Sequence, residues 1–156
     1  MGGVVSPVAE PRPAPAQYAC ARAWAALAAV HARVAGRLAA GLGAGCGLSV
    51  TEFEILLRLE HAAGRGLRLS QLTPAIPLTQ PALSRAVTRL ADRGLLTRSG
   101  APEDGRGVLI FLTAAGEHAA REAAHVHARI IRELVLDRLS DDDQAVLADL
   151  LARLLD

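Results

Sequence analysis

The stretch TQPALSRAVTRLADRGL, residues 79–95, separates two kinds of side chain at helical spacing. Leu83, Val87 and Leu90, with Ala86 beside them, form one apolar stripe. Thr79, Gln80, Ser84, Arg85, Thr88 and Arg89 point elsewhere. Hydroxyls, an amide and guanidiniums are the groups that reach phosphate oxygens and base edges, and arginine can take guanine bidentately. A second cation stands close by in sequence. SGAPEDGRGVLIFLT, residues 99–113, mounts Arg106 on a polar turn beside Glu103, Asp104 and three glycines. The minor groove of A-tract DNA is narrow, and its negative potential attracts an inserted arginine. A glycine-rich hairpin tip can deliver one, and Asp104 can hold the guanidinium through a charge-assisted hydrogen bond. A charged helix face is often merely solvated, so the surrounding elements must decide what this one is for.

Those elements are readable on both sides. Ser49 and Glu52 make an S-x-x-E capping box that starts VTEFEILLRLEHAA, with Phe53, Leu56, Leu57 and Leu59 on its inner side and GRG (64–66) closing it. A short helix follows in SQLTPAIP, with Ser70 as its N-cap and Pro74 and Pro77 limiting it to a turn or two. Thr79 caps the amphipathic helix, Pro81 is tolerated in its first turn and Gly94 stops it. LLTRS (95–99) and VLIFLT (108–113) then read as a two-stranded hairpin. Helix, short helix, turn, helix and hairpin make a helix-turn-helix with a wing, whose second helix lies in a DNA major groove.

The flanks are helical. Residues 1–15 carry four prolines and no apolar period, which predicts a flexible arm. An alanine-rich helix is expected over 16–40, with GLGAGCG (41–47) as a flexible link after it. That glycine run follows a helix rather than a strand and lacks G-K-S/T, so it is no phosphate loop. Thr113 should cap a long helix to about Leu139, and Ser140 with Asp143 a last one, striped by Val146, Leu147, Leu150, Leu151 and Leu154. The long helix is apolar on two sides, one lined by Ala119, Ala123, Val126, Ile130 and Leu134, the other by Ala120, Ala124, Ile131 and Val135. Two apolar sides need two covers, which a second copy of the chain would supply.

Composition narrows the classes. Hydrophobic residues are 51% and charged residues 21%, so the chain is globular rather than disordered. Aromatics are only 3%, which favours close-packed helices over a sandwich. The net charge of +1 conceals a positive middle, where seven arginines from Arg65 to Arg106 face only Asp92, Glu103 and Asp104. No G-x-S-x-G, H-E-x-x-H, P-loop or paired-carboxylate cleft occurs, so no enzyme and no catalytic residue is expected. No cofactor or metal site is expected either: His118 and His125 lie roughly 10 Å apart along a helix, and Asp141 to Asp143 open a helix, where acids suit the dipole. Cys20 and Cys46 are too few for a disulfide scaffold and are expected to stay reduced. With no run of eighteen uncharged apolar residues and no secretory pattern, a cytoplasmic protein with no membrane partner is expected. For a small-molecule effector, Trp24, His31 and Phe53 are possible lining residues.

Taken together, these residues resemble the MarR-type transcriptional regulators. LSVTEFEILLRL looks like that family's second helix, and LSRAVTRLADRGLLTR is similar to its recognition helix and first wing strand. PEDGRGVLIFLTAAG matches its D-x-R-x(5)-L-T-x-x-G wing pattern through Asp104, Arg106, Leu112, Thr113 and Gly116. The match is specific from about Leu48 to Gly116, although Pro74, Pro77 and Pro81 crowd the helix-turn-helix more than the family pattern does. The resemblance implies a mainly α fold with a small two-stranded β-wing: a winged helix-turn-helix over 48–112 and a helical dimerisation region from 16–47 and 113–156. It implies a homodimeric repressor of double-stranded DNA carrying an inverted-repeat operator, released by a small-molecule effector, with wing insertion by Arg106 and contacts from Ser84, Arg85 and their neighbours. The competing readings are a winged-helix module that binds protein instead of DNA, and a cysteine-based redox-responsive regulator.

Overall fold

Helix α2 (Val50–His61) starts where Ser49 and Glu52 exchange hydrogen bonds. The Ser49 backbone N–H donates to Glu52 Oε2 at 2.9 Å, and Glu52 N–H donates to Ser49 Oγ at 3.2 Å. The same logic starts α6 (Asp141–Ala152), where Ser140 and Asp143 bond reciprocally, and α5 (Ala114–Leu134), where Thr113 Oγ1 accepts from Gly116 N–H. The computed structural model describes residues 15–100 and 108–155. Besides these helices it contains α1 (Pro15–Cys46), α3 (Leu69–Leu72) and α4 (Gln80–Asp92), with strands β1 (Leu67–Arg68), β2 (Leu96–Gly100) and β3 (Val108–Leu112). The arm expected over 1–15 lies outside the described residues except for Pro15, which opens α1.

The chain divides into two compact units, Met1–Arg33 and Val34–Asp156. In the first, α1 exposes Tyr18, Trp24, Leu27 and Val30. In the second, the apolar stripe of α4 (Leu83, Ala86, Val87 and Leu90) is buried with Ile55, Leu56 and Leu59 of α2, Leu72, Ile76, Leu96, Ile110, Ala120 and Ala123. This core fixes the hand of α4: with one side sunk in leucine and isoleucine, its polar residues must face out. No single helix among the described residues is long and apolar enough to cross a membrane.

Four local expectations change. The wing sheet has three strands in the order β1-β3-β2, all antiparallel, because Leu67 and Arg68 pair with Ile110 and Leu109. Two residues are too few to show alternation in sequence. The glycine run 41–47 is no link but the last turns of α1: a side chain at Gly41 would meet Ile130 Cδ1 of α5 at 2.5 Å, so glycine is what lets the two helices touch. Gly47, at φ +62°, is where the helix stops. Ser70 is not the cap of α3; Arg68 holds that position, and its N–H donates to Gln71 Oε1 at 2.8 Å. Thr79 does stand at the N-cap of α4 but makes no side-chain cap bond. Finally, α5 ends at Leu134 rather than near Leu139, because Val135 leaves helical geometry and the Gln144 amide draws in the Leu136 and Leu139 carbonyls.

Candidate nucleic-acid interface

On α4, Thr79, Gln80, Arg85, Thr88 and Arg89 are exposed and Ser84 is half-buried. The expected polar face therefore exists, but its members are not equally free. Arg85 has no ion-pair partner among the described residues. Thr88 Oγ1 donates back to the Ser84 carbonyl at 3.0 Å and accepts from Arg98 Nη2 at 2.8 Å. Arg98 is a member that sequence reasoning missed. It sits two residues after buried Leu96 on β2, hence on the same side of the strand, where it reaches across to α4. The period-2 count from Leu96 was the signal that could have found it.

Arg89 and Arg93 share a carboxylate. Arg89 Nε lies 3.6 Å from Glu52 Oε1 and Arg93 Nη1 lies 3.7 Å from Glu52 Oε2, while the same Oε2 accepts from Ser49 N–H and Oγ. Glu52 is the buried charged residue of the core, at 8% exposure. Burial pushes its carboxyl up, but the two Ser49 hydrogen bonds and the charges of Arg93 and Arg89 outweigh that and leave it below its ordinary value. It is thus an anion bound to two cations, and the cluster carries a net positive charge at the outer end of α4. The paired wing strands close on Gly100 and Val108. Asp104 and Arg106 lie outside the described residues.

A family model described as "MarR family" matches residues 48–108, the segment that holds α2, α3, α4, β1 and β2 and reaches the first residue of β3. A MarR family transcriptional regulator from Streptomyces coelicolor, solved in complex with DNA, superimposes with TM-score 0.81 at 27% identity, covering 95% of this chain and 91% of that one. The chain is similar to MarR family regulators in sequence over residues 48–108 and in fold along most of its length. A MarR variant from E. coli solved with operator DNA gives TM-score 0.73 at 25% identity, covering 83% of this chain and 91% of that one. The uncharacterised HTH-type transcriptional regulator YdgJ of Bacillus subtilis is 29% identical over 108 residues, which span 69% of this chain and 64% of that relative's length. These MarR family members are transcriptional regulators, and none is named as an enzyme.

Of the three residues expected to line an effector pocket, Trp24 and His31 are exposed in the unit Met1–Arg33. Phe53 is buried in the other unit, its ring centroid 5.3 Å from that of His127. It lines a cavity of 340 Å³ with Leu38, Val50, Leu57, Arg58, His61, Glu54 and His127. The lining combines apolar Leu38, Val50, Phe53 and Leu57 with the carboxylate of Glu54, the guanidinium of Arg58 and the imidazoles of His61 and His127. Both cysteines are free thiols. Cys46 is half-buried, and burial together with the Glu122 carboxylate pushes its thiol up, away from the reactive thiolate.

Proposed function

We propose that this chain is a sequence-specific, double-stranded DNA-binding transcriptional regulator that works in the cytoplasm as a homodimeric repressor and performs no catalysis. The observation that carries the reading is α4 itself: a helix with one side buried in the core and the other side an exposed row of hydroxyl, amide and guanidinium groups, braced by Arg98 from the adjoining strand. A protein-binding winged helix has no need of that row. Residues 48–112 form the DNA-binding region, in which Gln80, Ser84 and Arg85 face base edges and Thr79, Thr88, Arg89 and Arg98 face the backbone, with Arg106 entering the minor groove and Asp104 orienting it. The regions 16–47 and 113–156 join two copies, so that two α4 helices meet an inverted repeat. Support for the dimer comes from α6, which buries none of its residues and exposes Val146, Leu147, Leu150 and Leu151.

The effector site in this proposal is the Phe53 cavity. Its mixed wall suits a small apolar molecule bearing an acidic group, which Arg58, His61 and His127 would meet. Release from DNA then requires that the molecule bind the DNA-incompetent state more tightly. The function is tested by fluorescence anisotropy with the duplex upstream of the chain's own gene against a scrambled duplex, across a salt series. Sequence-dependent binding whose log affinity falls linearly with log salt is the expected result. A folded dimer that binds neither duplex would replace this reading with the protein-interaction module.

A further inference from the structure

Glu52 has two roles that meet on one carboxylate. Through Oε2 it closes the capping box with Ser49, which pins its position on α2 to within hydrogen-bond tolerance. Through Oε1 it faces Arg89 Nε, and through Oε2 also Arg93 Nη1. The side chain of Glu52 is 10% exposed while that of Arg89 is 59% exposed. A guanidinium is planar and forked: an anion on its Nε side leaves the Nη donors on the far edge free. The inner side of Arg89 therefore faces, across a 3.6 Å ion pair, a carboxylate anchored by its own capping box, while most of the arginine side chain stays in solvent.

We infer that Glu52 is a positioning residue for DNA binding, acting through Arg89: it fixes the plane and direction of that guanidinium so that the Nη edge meets a backbone phosphate. This rests on the DNA-binding function proposed above. An unpaired arginine side chain has considerable rotamer freedom to lose on binding, and the carboxylate beside Arg89 removes part of it beforehand. Opposing this, a carboxylate near DNA repels phosphate. The repulsion is weakened because Glu52 is covered and neutralised by two arginines, and at about 0.15 M salt it is screened beyond roughly 8 Å. Orientation therefore outweighs repulsion at that salt.

The test uses the full chain on a mixed-sequence duplex, since a phosphate contact needs no operator. Glutamine serves in the third position of a capping box as glutamate does, so Glu52→Gln keeps the cap and removes the charge. At about 0.15 M salt it is expected to weaken binding roughly fivefold, the scale of one charge-assisted hydrogen bond partly lost. In an Arg89→Ala background the same change should have no weakening effect, a coupling that a purely structural role would not produce. Arg89→Lys, which keeps the charge on an exposed site, should lose affinity like Glu52→Gln because an ammonium has no second edge. Unchanged or tighter binding by Glu52→Gln, additive losses in the double variant, or wild-type affinity in Arg89→Lys would each overturn the inference. If the wild-type chain binds no duplex at all, the proposed function fails and this inference with it; if it binds and only the variants disagree, the inference alone fails.

Discussion

Gly116, the last residue of the wing pattern, is predicted to be irreplaceable even by alanine. It lies in the first turn of α5, where its N–H donates to Thr113 Oγ1 at 3.0 Å. A Cβ built there would run into the Leu95 carbonyl oxygen and come within 3.1 Å of Leu112 Cδ2. That carbonyl is not free to retreat, because it accepts the Thr113 N–H at 3.1 Å, while the Thr113 hydroxyl holds the neighbouring Gly94 carbonyl at 2.7 Å. Two effects compete. Alanine is favoured over glycine in a helix interior by about 1 kcal/mol, less in the first turn. Overpacking costs about 1–3 kcal/mol, and losing the Thr113–Leu95 bond adds about 1 kcal/mol. The steric side wins by about 2 kcal/mol, which in a chain of this size lowers Tm by roughly 4–8 °C. The measurement is a thermal melt at fixed protein concentration, since Tm of a dimer depends on concentration. Gly100→Ala is the control: it lies in β2, outside the regions proposed to join two copies, with nothing within 4 Å of a new Cβ, so it should melt at or above wild type. Gly116→Ala melting as high as wild type would show that the β2–α5 junction yields, and the account of the motif would be wrong.

Arg106→Ala should weaken DNA binding while leaving sedimentation and the thermal melt unchanged; equal affinity on the cognate duplex would remove the wing from the interface. Glu52 should give an acid-side signature. Its folded carboxyl lies below its ordinary value of 4.5, so its contribution to stability is complete above that pH and is lost as pH falls through the lower folded value. The stability difference between wild type and Glu52→Gln in urea titrations should therefore shrink below about pH 4.5, and a difference independent of pH would show that the carboxylate charge contributes nothing.

What could be read from sequence was local. The capping boxes at Ser49 and Ser140, the Thr113 cap and the buried stripe of α4 all depend on residues three or four apart, and all are present. What could not be read depended on residues far apart in the chain. Gly41 and Gly45 look like parts of a linker until Ile130 and Val126 of α5 are packed against them. The alternation from Leu96 gives the side of β2 on which Arg98 stands, but not that it meets Thr88 of α4. Glu52 shows the boundary within one side chain: its bond to Ser49 follows from an S-x-x-E pattern, whereas its pairing with Arg89 and Arg93 follows only from the packing of α2 on α4.

The same distinction bears on the proposed dimer. Helix α6 has twelve residues and a good cap, but an isolated helix of that length is marginal in water. Its stability has to come from an apolar face covered by something, and within the chain it buries none of its residues. Instead Val146 is 59% exposed and Leu150 51%, and just past the helix end Leu154 is 72% and Leu155 88% exposed. Asp141, Asp142 and Asp143 favour the helix dipole at its start, a gain of only about 0.3–1 kcal/mol each at an exposed site, too little to replace burial. Leucines recurring on a helix whose own chain does not cover them are what a two-fold interface requires, because each copy then supplies the cover that the other lacks. Among the described residues nothing covers this face, so the need for a cover comes from α6 alone, and the proposed dimer puts a second copy there.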